Sequence, residues 1–215
     1  MTPTTADAPS YAERPLNPER WALLMRHGGP RILDVGSGNG RYVDALRAIG
    51  RDAVGVDLRP LVSEAAAGTA IIAEAAALPF ADRSFDTSCA FEVLEHCVDP
   101  VAVLREMRRV TRDRVVLTVP SCVQTAGMRA ANVVYGHYRD RTHRHFWTPE
   151  GFAALVASAG LQVVESLAIN GIRLGPLVTE ALGWRGPLAT TGARVFDRLA
   201  RARYPMTTAI VAVSA

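Results

Sequence analysis

"RILDVGSGNGRYV" (Arg31–Val43) decides the fold. A short apolar run ends at Val35, glycines follow on alternate residues at 36, 38 and 40, and an amphipathic segment begins directly after them. That order reads as a strand, a tight turn and a helix. Glycines let the backbone bend sharply and approach a ligand closely. The helix start behind them offers unpaired N–H groups and the positive end of a dipole, suited to an anionic group.

Working outward, β-branched runs alternate with helical patterns. Strands are expected over 31–35, 52–57, 69–73, 85–91, 114–119, 162–169 and 207–213, and helices over 39–49, 60–67, 101–110 and 193–203. Leu104, Met107 and Val110 recur at helical spacing. A further helix opens with Thr148 as cap and Pro149 in its first turn, carries Phe152, Leu155 and Val156 on one face, and is closed by Gly160. Alternating apolar strands and helices imply a doubly wound, mostly parallel seven-stranded sheet covered on both sides, an α/β class. In such a sheet ligands sit beyond the carboxyl ends of the strands. Gly36–Gly40, Asp57, Glu74, Phe91, Glu92, Pro120 and Ser121 all fall at such ends.

The chain of 215 residues suits one domain, expected over 17–215 behind a flexible polar segment 1–16, with variable acceptor-side segments near 121–147 and 171–205. All 24 basic side chains are arginine and the net charge is +3, too mild to argue for nucleic acid. Cys89, Cys97 and Cys122 have no metal spacing and fit reduced thiols in a cytoplasmic protein. No apolar run is long enough for a spanning helix.

A dinucleotide turn reads G-x-G-x-x-G with an acidic residue about 20 positions on. Here the third glycine comes one residue early, while Asp57 stands where a carboxylate could take both hydroxyls of a ribose. The stretches "ILDVGSGNG", "VGVDLRP", "AEAAALPFADRSFDTSCAFEVLEH" followed by "DP", and "VLTVPS" together resemble the class I S-adenosylmethionine-dependent methyltransferases, in the family's order; "HFWTPEGFAALVASAGLQVV" resembles the segment that usually follows. The resemblance implies S-adenosyl-L-methionine as cofactor. Gly36 and Gly38 would lie against its methionine part, with Asp34 positioning the turn. Asp57 would take the ribose hydroxyls, Leu58 would pack on the adenine, and Glu74 with Ala75 would meet the adenine edge. Phe91 and Glu92 would border the transferred methyl. Ala76 departs from the pattern, which usually has an acidic residue there.

Catalytic candidates are Glu92 and His96 in "FEVLEHCVDP" and the histidines of "YGHYRDRTHRHFW", His143 foremost beside His137 and His145. A histidine near the strand ends suits general-base work on a hydroxyl acceptor. E-x-x-E-H also resembles a metal-ligand pattern of certain quinone-biosynthesis and RNA-terminus O-methyltransferases. The plainer reading is a linker from strand to helix, so no metal is expected. The expected function is methyl transfer to an oxygen or nitrogen of a small-molecule or lipid-like metabolite. The alternatives are a cofactor-binding but silent regulatory scaffold and, behind it, a nicotinamide-dependent oxidoreductase. Late in the chain, Arg194, Arg198 and Arg201 share a helical face, with Val195, Phe196 and Leu199 expected against the domain. Trp184, Leu177 and Leu182 are expected to wall the acceptor, and peripheral contact with an anionic membrane is a further option.

Overall fold

The computed structural model describes residues 16–59, 70–132, 134–172 and 174–214. The helix expected over 60–67 and residues 1–15 of the flexible segment lie outside the described residues. The strands are β1 (Arg31–Val35), β2 (Asp52–Asp57), β3 (Ala70–Ile72), β4 (Phe85–Phe91), β5 (Thr111–Pro120), β6 (Leu161–Gly171) and β7 (Pro205–Ser214). They form one sheet in the order β3-β2-β1-β4-β5-β7-β6. The pairings among β1 to β5 are parallel, and β7 runs antiparallel to both of its neighbours, β5 and β6. The order reverses between β1 and β4, which opens a crevice at the carboxyl edge directly behind the glycine turn.

Alternation within the strands sends successive residues to opposite faces. Ile32 joins Leu24, Leu46, Val116 and Val211 in one apolar cluster. Leu33 joins Phe85, Leu104, Met107 and Phe152 in the other. The first face is covered by α1 (Pro18–His27) and α2 (Arg41–Ala48), the second by α3 (Pro100–Val110) and α5 (Pro149–Ser158). In α3, Asp99 accepts from the Ala102 N–H at 3.0 Å and Pro100 opens the helix, while Leu104, Met107 and Val110 are completely buried. α5 begins as expected, with Thr148 accepting from the Gly151 N–H.

Three features depart from expectation. The first is α1, capped by Asn17, whose side chain accepts from the N–H groups of Glu19 and Arg20. It leaves Leu16 to line the site described below, although the flexible segment was expected to reach that residue. The second is a pair of helices at the carboxyl edge between β6 and β7, α6 (Gly175–Ala181) and α7 (Gly186–Arg203), the latter starting well before residue 193. The third concerns their faces. Val195 and Leu199 point outward rather than against the domain, and Leu177 and Leu182 are exposed rather than walling a pocket. The reason is a close crossing: a Cβ at Gly175 would stand 2.1 Å from the Ala193 carbonyl oxygen, and one at Gly192 would meet the Trp184 ring at 2.4 Å. Small residues therefore occupy the seam, with Trp184 and Phe196 packed across it at 6.2 Å, and the large aliphatics are turned out. A short helix α4 (Ala126–Ala130) and turns at Leu94–His96 and Gly136–Arg139 complete the carboxyl edge.

Candidate active site

The glycine turn is shaped by strand β2. Gly36 and Ser37 both donate to the Val56 carbonyl, at 2.7 and 3.1 Å. Gly36, Gly38 and Gly40 all take left-handed backbone angles, φ +71°, +57° and +77°. A Cβ at Gly36 would lie 2.4 Å from Val93 Cγ2, so both the angle and the space demand glycine there. The Gly38 N–H donates to Asp57 Oδ2 at 2.9 Å, and the Arg59 N–H to Oδ1 at 3.2 Å. Asp57 is thereby oriented at the end of β2, and each oxygen keeps a lone pair for a further donor.

Beside the turn lies a cavity of about 400 Å³ lined by Asn17, Arg20, Asp34, Gly36, Tyr42 and Phe91, among others. It is strongly polarised. Asp34 is buried, its Oδ1 accepting weakly from the Cys89 thiol at 3.5 Å and its Oδ2 having no hydrogen-bond partner among the described residues. Burial pushes its carboxyl up to about 7; the Cys89 thiol opposes this and the Asp57 charge adds to it. Across from it, Arg20 reaches in from α1. Its Nη2 donates to Glu92 Oε1 at 2.8 Å, its guanidinium lies 5.9 Å from the centre of the Phe91 ring, and its buried Nε is unpartnered among the described residues. Arg20 is the site residue that the sequence reading passed over. Its signal was present, since Asn17-Pro18 is a cap followed by a residue suited to a first turn, with Trp21, Leu24 and Met25 at helical spacing.

Of the residues singled out in the sequence, Asp34, Gly36 and Phe91 line this cavity, and Gly38 is tied to it through the turn. Asp57, Leu58, Glu74 and Ala75 do not line it; they stand along the ends of β2 and β3, with Leu58 and Glu74 exposed. Glu92 has a left-handed backbone, φ +57°, and its Oε1 accepts from both Arg20 and the Thr118 hydroxyl. Burial raises its pKa, with Arg20 opposing.

The histidines assemble beyond Glu92. Backbone bonds from Arg144 and His145 to the Glu95 carbonyl, at 2.7 and 3.3 Å, pin the 135–147 connection against the turn after β4. This sets the His143 and His96 rings edge to face at 4.7 Å. His96 Nδ1 contacts the Thr142 hydroxyl at 3.0 Å, and His143 Nε2 lies 3.6 Å from Asp140 Oδ2. Burial, and after it the nearby His96, holds the His143 pKa below the usual value against a smaller opposing effect of Asp140. His137 is lowered by burial too. His145 is used otherwise: its Nε2 is bonded to the Cys97 carbonyl at 2.9 Å and its ring stacks on Trp147.

Glu95 sits beneath this pair, 1% exposed, and neither of its carboxylate oxygens has a hydrogen-bond partner among the described residues. Burial raises its pKa to about 8, helped by Glu92. Ligand atoms of Glu95, His96 and His143 lie within 4.8 Å of one another. The E-x-x-E-H pattern therefore folds with its first glutamate turned to Arg20 and with His143, from a different connection, in its place.

The family described as "Methyltransferase domain" matches residues 33–119, from β1 through β5. An uncharacterised methyltransferase of Mycolicibacterium vanbaalenii is 41% identical over 91 residues, 39% of this chain and 36% of that protein, so the chain spans about a third of its length. A ubiquinone biosynthesis O-methyltransferase of Xanthomonas euvesicatoria is 29% identical over 180 residues, 74% of each chain. Among solved structures, a SAM-dependent methyltransferase from Archaeoglobus fulgidus superposes with a TM-score of 0.60 at 19% identity, covering 90% of this chain and 92% of its own. The phosphoethanolamine N-methyltransferase 2 of Haemonchus contortus, in complex with S-adenosyl-L-methionine, gives 0.58 at 16% identity, covering 92% and 52%. With the motifs, strand order and glycine turn described above, these likenesses place the chain in the class I S-adenosylmethionine-dependent methyltransferase family.

Proposed function

We propose that the chain transfers a methyl group from S-adenosylmethionine to an oxygen of a small-molecule or lipid-like acceptor. The observation that carries the reading is the polarised cavity beside the glycine turn. Arg20 and Asp34 present a guanidinium and a carboxyl there, suited to the carboxylate and ammonium of a methionine end, and Asp57 stands ready for the ribose at the end of β2. In this reading Gly36 and Gly38 let the backbone approach the methionine part, Leu58 covers the adenine, and Glu74 and Ala75 border its edge. Phe91 and Glu92 flank the methyl, Glu92 chiefly by holding Arg20 in place.

The cofactor supplies an activated methyl and a neutral leaving group. What remains for the protein is to align the acceptor and to exclude water, which in well-oriented systems lowers a barrier by about 7–11 kcal/mol. His143 is the proposed base: its depressed pKa keeps the imidazole neutral near pH 7, free to take the hydroxyl proton, typically worth about 10²–10⁴-fold. Oxygen is preferred over nitrogen because the O-methyltransferase likeness runs over three quarters of the chain, through the acceptor side. The buried carboxyl of Glu95, without a hydrogen-bond partner among the described residues and 3.9 Å from His96 Nε2, favours a second reading, in which Glu95, His96 and His143 hold a divalent cation that polarises the acceptor oxygen.

The test is transfer from methyl-labelled S-adenosylmethionine into a panel of hydroxyl-bearing metabolites. Label in an ether product is expected, with His143→Ala slower by about 10²-fold or more. Cofactor binding with no label in any acceptor would favour the silent scaffold, and tight binding of NADH alone would favour an oxidoreductase. Loss of activity with EDTA, restored by Mg²⁺, would select the cation reading over the free base.

A further inference from the structure

We infer that the outer face of the α6–α7 pair is a docking surface for an anionic lipid bilayer. Leu177, Leu182, Leu188, Val195 and Leu199 are each between 52% and 65% exposed; four stand on this pair of helices and Leu182 caps the end of α6. On α7, Leu188, Val195 and Leu199 are spaced by seven and four residues, which sets them in one narrow stripe. Arg194 and Arg198 are exposed immediately beside that stripe, one turn apart. The adjoining face of α7 packs in the seam with α6, where Gly175 and Ala193 allow the close crossing.

The charge pattern selects the occupant. Residues 174–203 hold five arginines against two acids. One of those acids, Asp197, is turned inward, its Oδ1 accepting from the Gly175 N–H at 2.7 Å at the start of α6. Among the described side chains Arg185, Arg194 and Arg198 are exposed against Glu180, so the outward surface is aliphatic with a net basic charge. Long arginine stems lie along apolar surface with their heads in the headgroup layer, the arrangement of helices that lie in a bilayer interface. A second copy presenting the same face would bring the arginines against their own kind, whereas anionic headgroups neutralise them. No helix among the described residues is long and apolar enough to cross a membrane, so the contact is peripheral. The pair connects β6 to β7 at the carboxyl edge, where Ser121 at the end of β5 bonds to the Met206 carbonyl, so a docked membrane lies on the same edge as the candidate site.

The experiment is co-sedimentation of the full chain with vesicles of phosphatidylcholine mixed with phosphatidylglycerol, against phosphatidylcholine alone. Binding to the mixed vesicles, weakened by high salt, is expected. Arg194→Glu with Arg198→Glu is expected to weaken it by roughly fivefold or more per arginine, and Leu188→Asp with Leu199→Asp to abolish it. Calorimetric titration of each variant with S-adenosylhomocysteine is expected to match the parent, which shows that the variants fold. No binding to anionic vesicles, or binding indifferent to both double variants, overturns the inference. So does a concentration-dependent dimer that the leucine variants break while vesicles are ignored. The cofactor titration reads the methyltransferase proposal separately, so failure of one leaves the other standing.

Discussion

Asp34 carries a conflict that can be measured. A carboxyl held at about 7 in the folded protein against 3.8 ordinarily gives up its proton more readily in the unfolded chain. Its contribution therefore destabilises the cofactor-free protein progressively as pH rises from about 4 to about 7, by roughly 1.4 kcal/mol at most for each pH unit crossed. Asp34→Asn is expected to stabilise the free protein by about 1–3 kcal/mol at pH 8, a gain that shrinks toward pH 5, and, under the proposed function, to weaken cofactor binding through loss of a carboxylate for its ammonium. Chemical denaturation at the two pH values checks the first half and calorimetry the second; equal destabilisation at both would contradict the account. Arg20 is its counterpart. Arg20→Ala, which leaves Glu92 half-buried without its cation, is expected to cost about 1–3 kcal/mol in cofactor binding, read by the same titration.

At the scale of elements, legibility followed periodicity. β1, β2 and β4 were bounded in the sequence because their apolar runs end abruptly at glycine or an acidic residue, and α3 because Leu104, Met107 and Val110 repeat along a capped helix. α1 was missed since its signal sits behind a proline-bearing polar lead-in, and α6 and α7 were blurred by Gly175, Gly183, Gly186 and the prolines that follow two of them. The outward turn of Val195 and Leu199 was illegible for another reason. Which face of an amphipathic helix is buried depends on the partner, and here the partner is a glycine seam rather than the sheet. The histidine cluster was half legible: His96 and His143 stood out by type, but their meeting rests on backbone bonds from 144 and 145 to Glu95 that no local pattern announces. Under the proposed function the missed α1 also serves cofactor binding, and that too is testable. Asn17 caps it and also donates to Asn170 Oδ1 at 2.7 Å, while the Asn170 N–H donates to Glu19 at 2.7 Å, so the helix is tied to the end of β6. Asn17→Ala is expected to cost about 1–2 kcal/mol of stability through the lost cap and to weaken the cofactor as well, because Arg20 is placed by this helix. Thermal denaturation beside calorimetry checks both. A stability loss with unchanged cofactor affinity would detach Arg20 from the site.

Across the whole molecule, one sheet edge gathers the cavity, the glycine turn and the histidine cluster among the described residues. The switch between β1 and β4 makes the crevice, the turn after β4 and the 135–147 connection bring histidines to its far side, and α6–α7 stands on the same edge with its basic, aliphatic face outward. The claim on which the rest depends is that this crevice binds S-adenosylmethionine through Asp57 and the glycine turn. Calorimetric titration with S-adenosylhomocysteine tests it most directly, comparing the parent chain with Asp57→Ala. The account predicts one site per chain and a loss on the order of 1–3 kcal/mol for each ribose hydrogen bond removed. Equal affinity in the two proteins, or no binding to either, would contradict it.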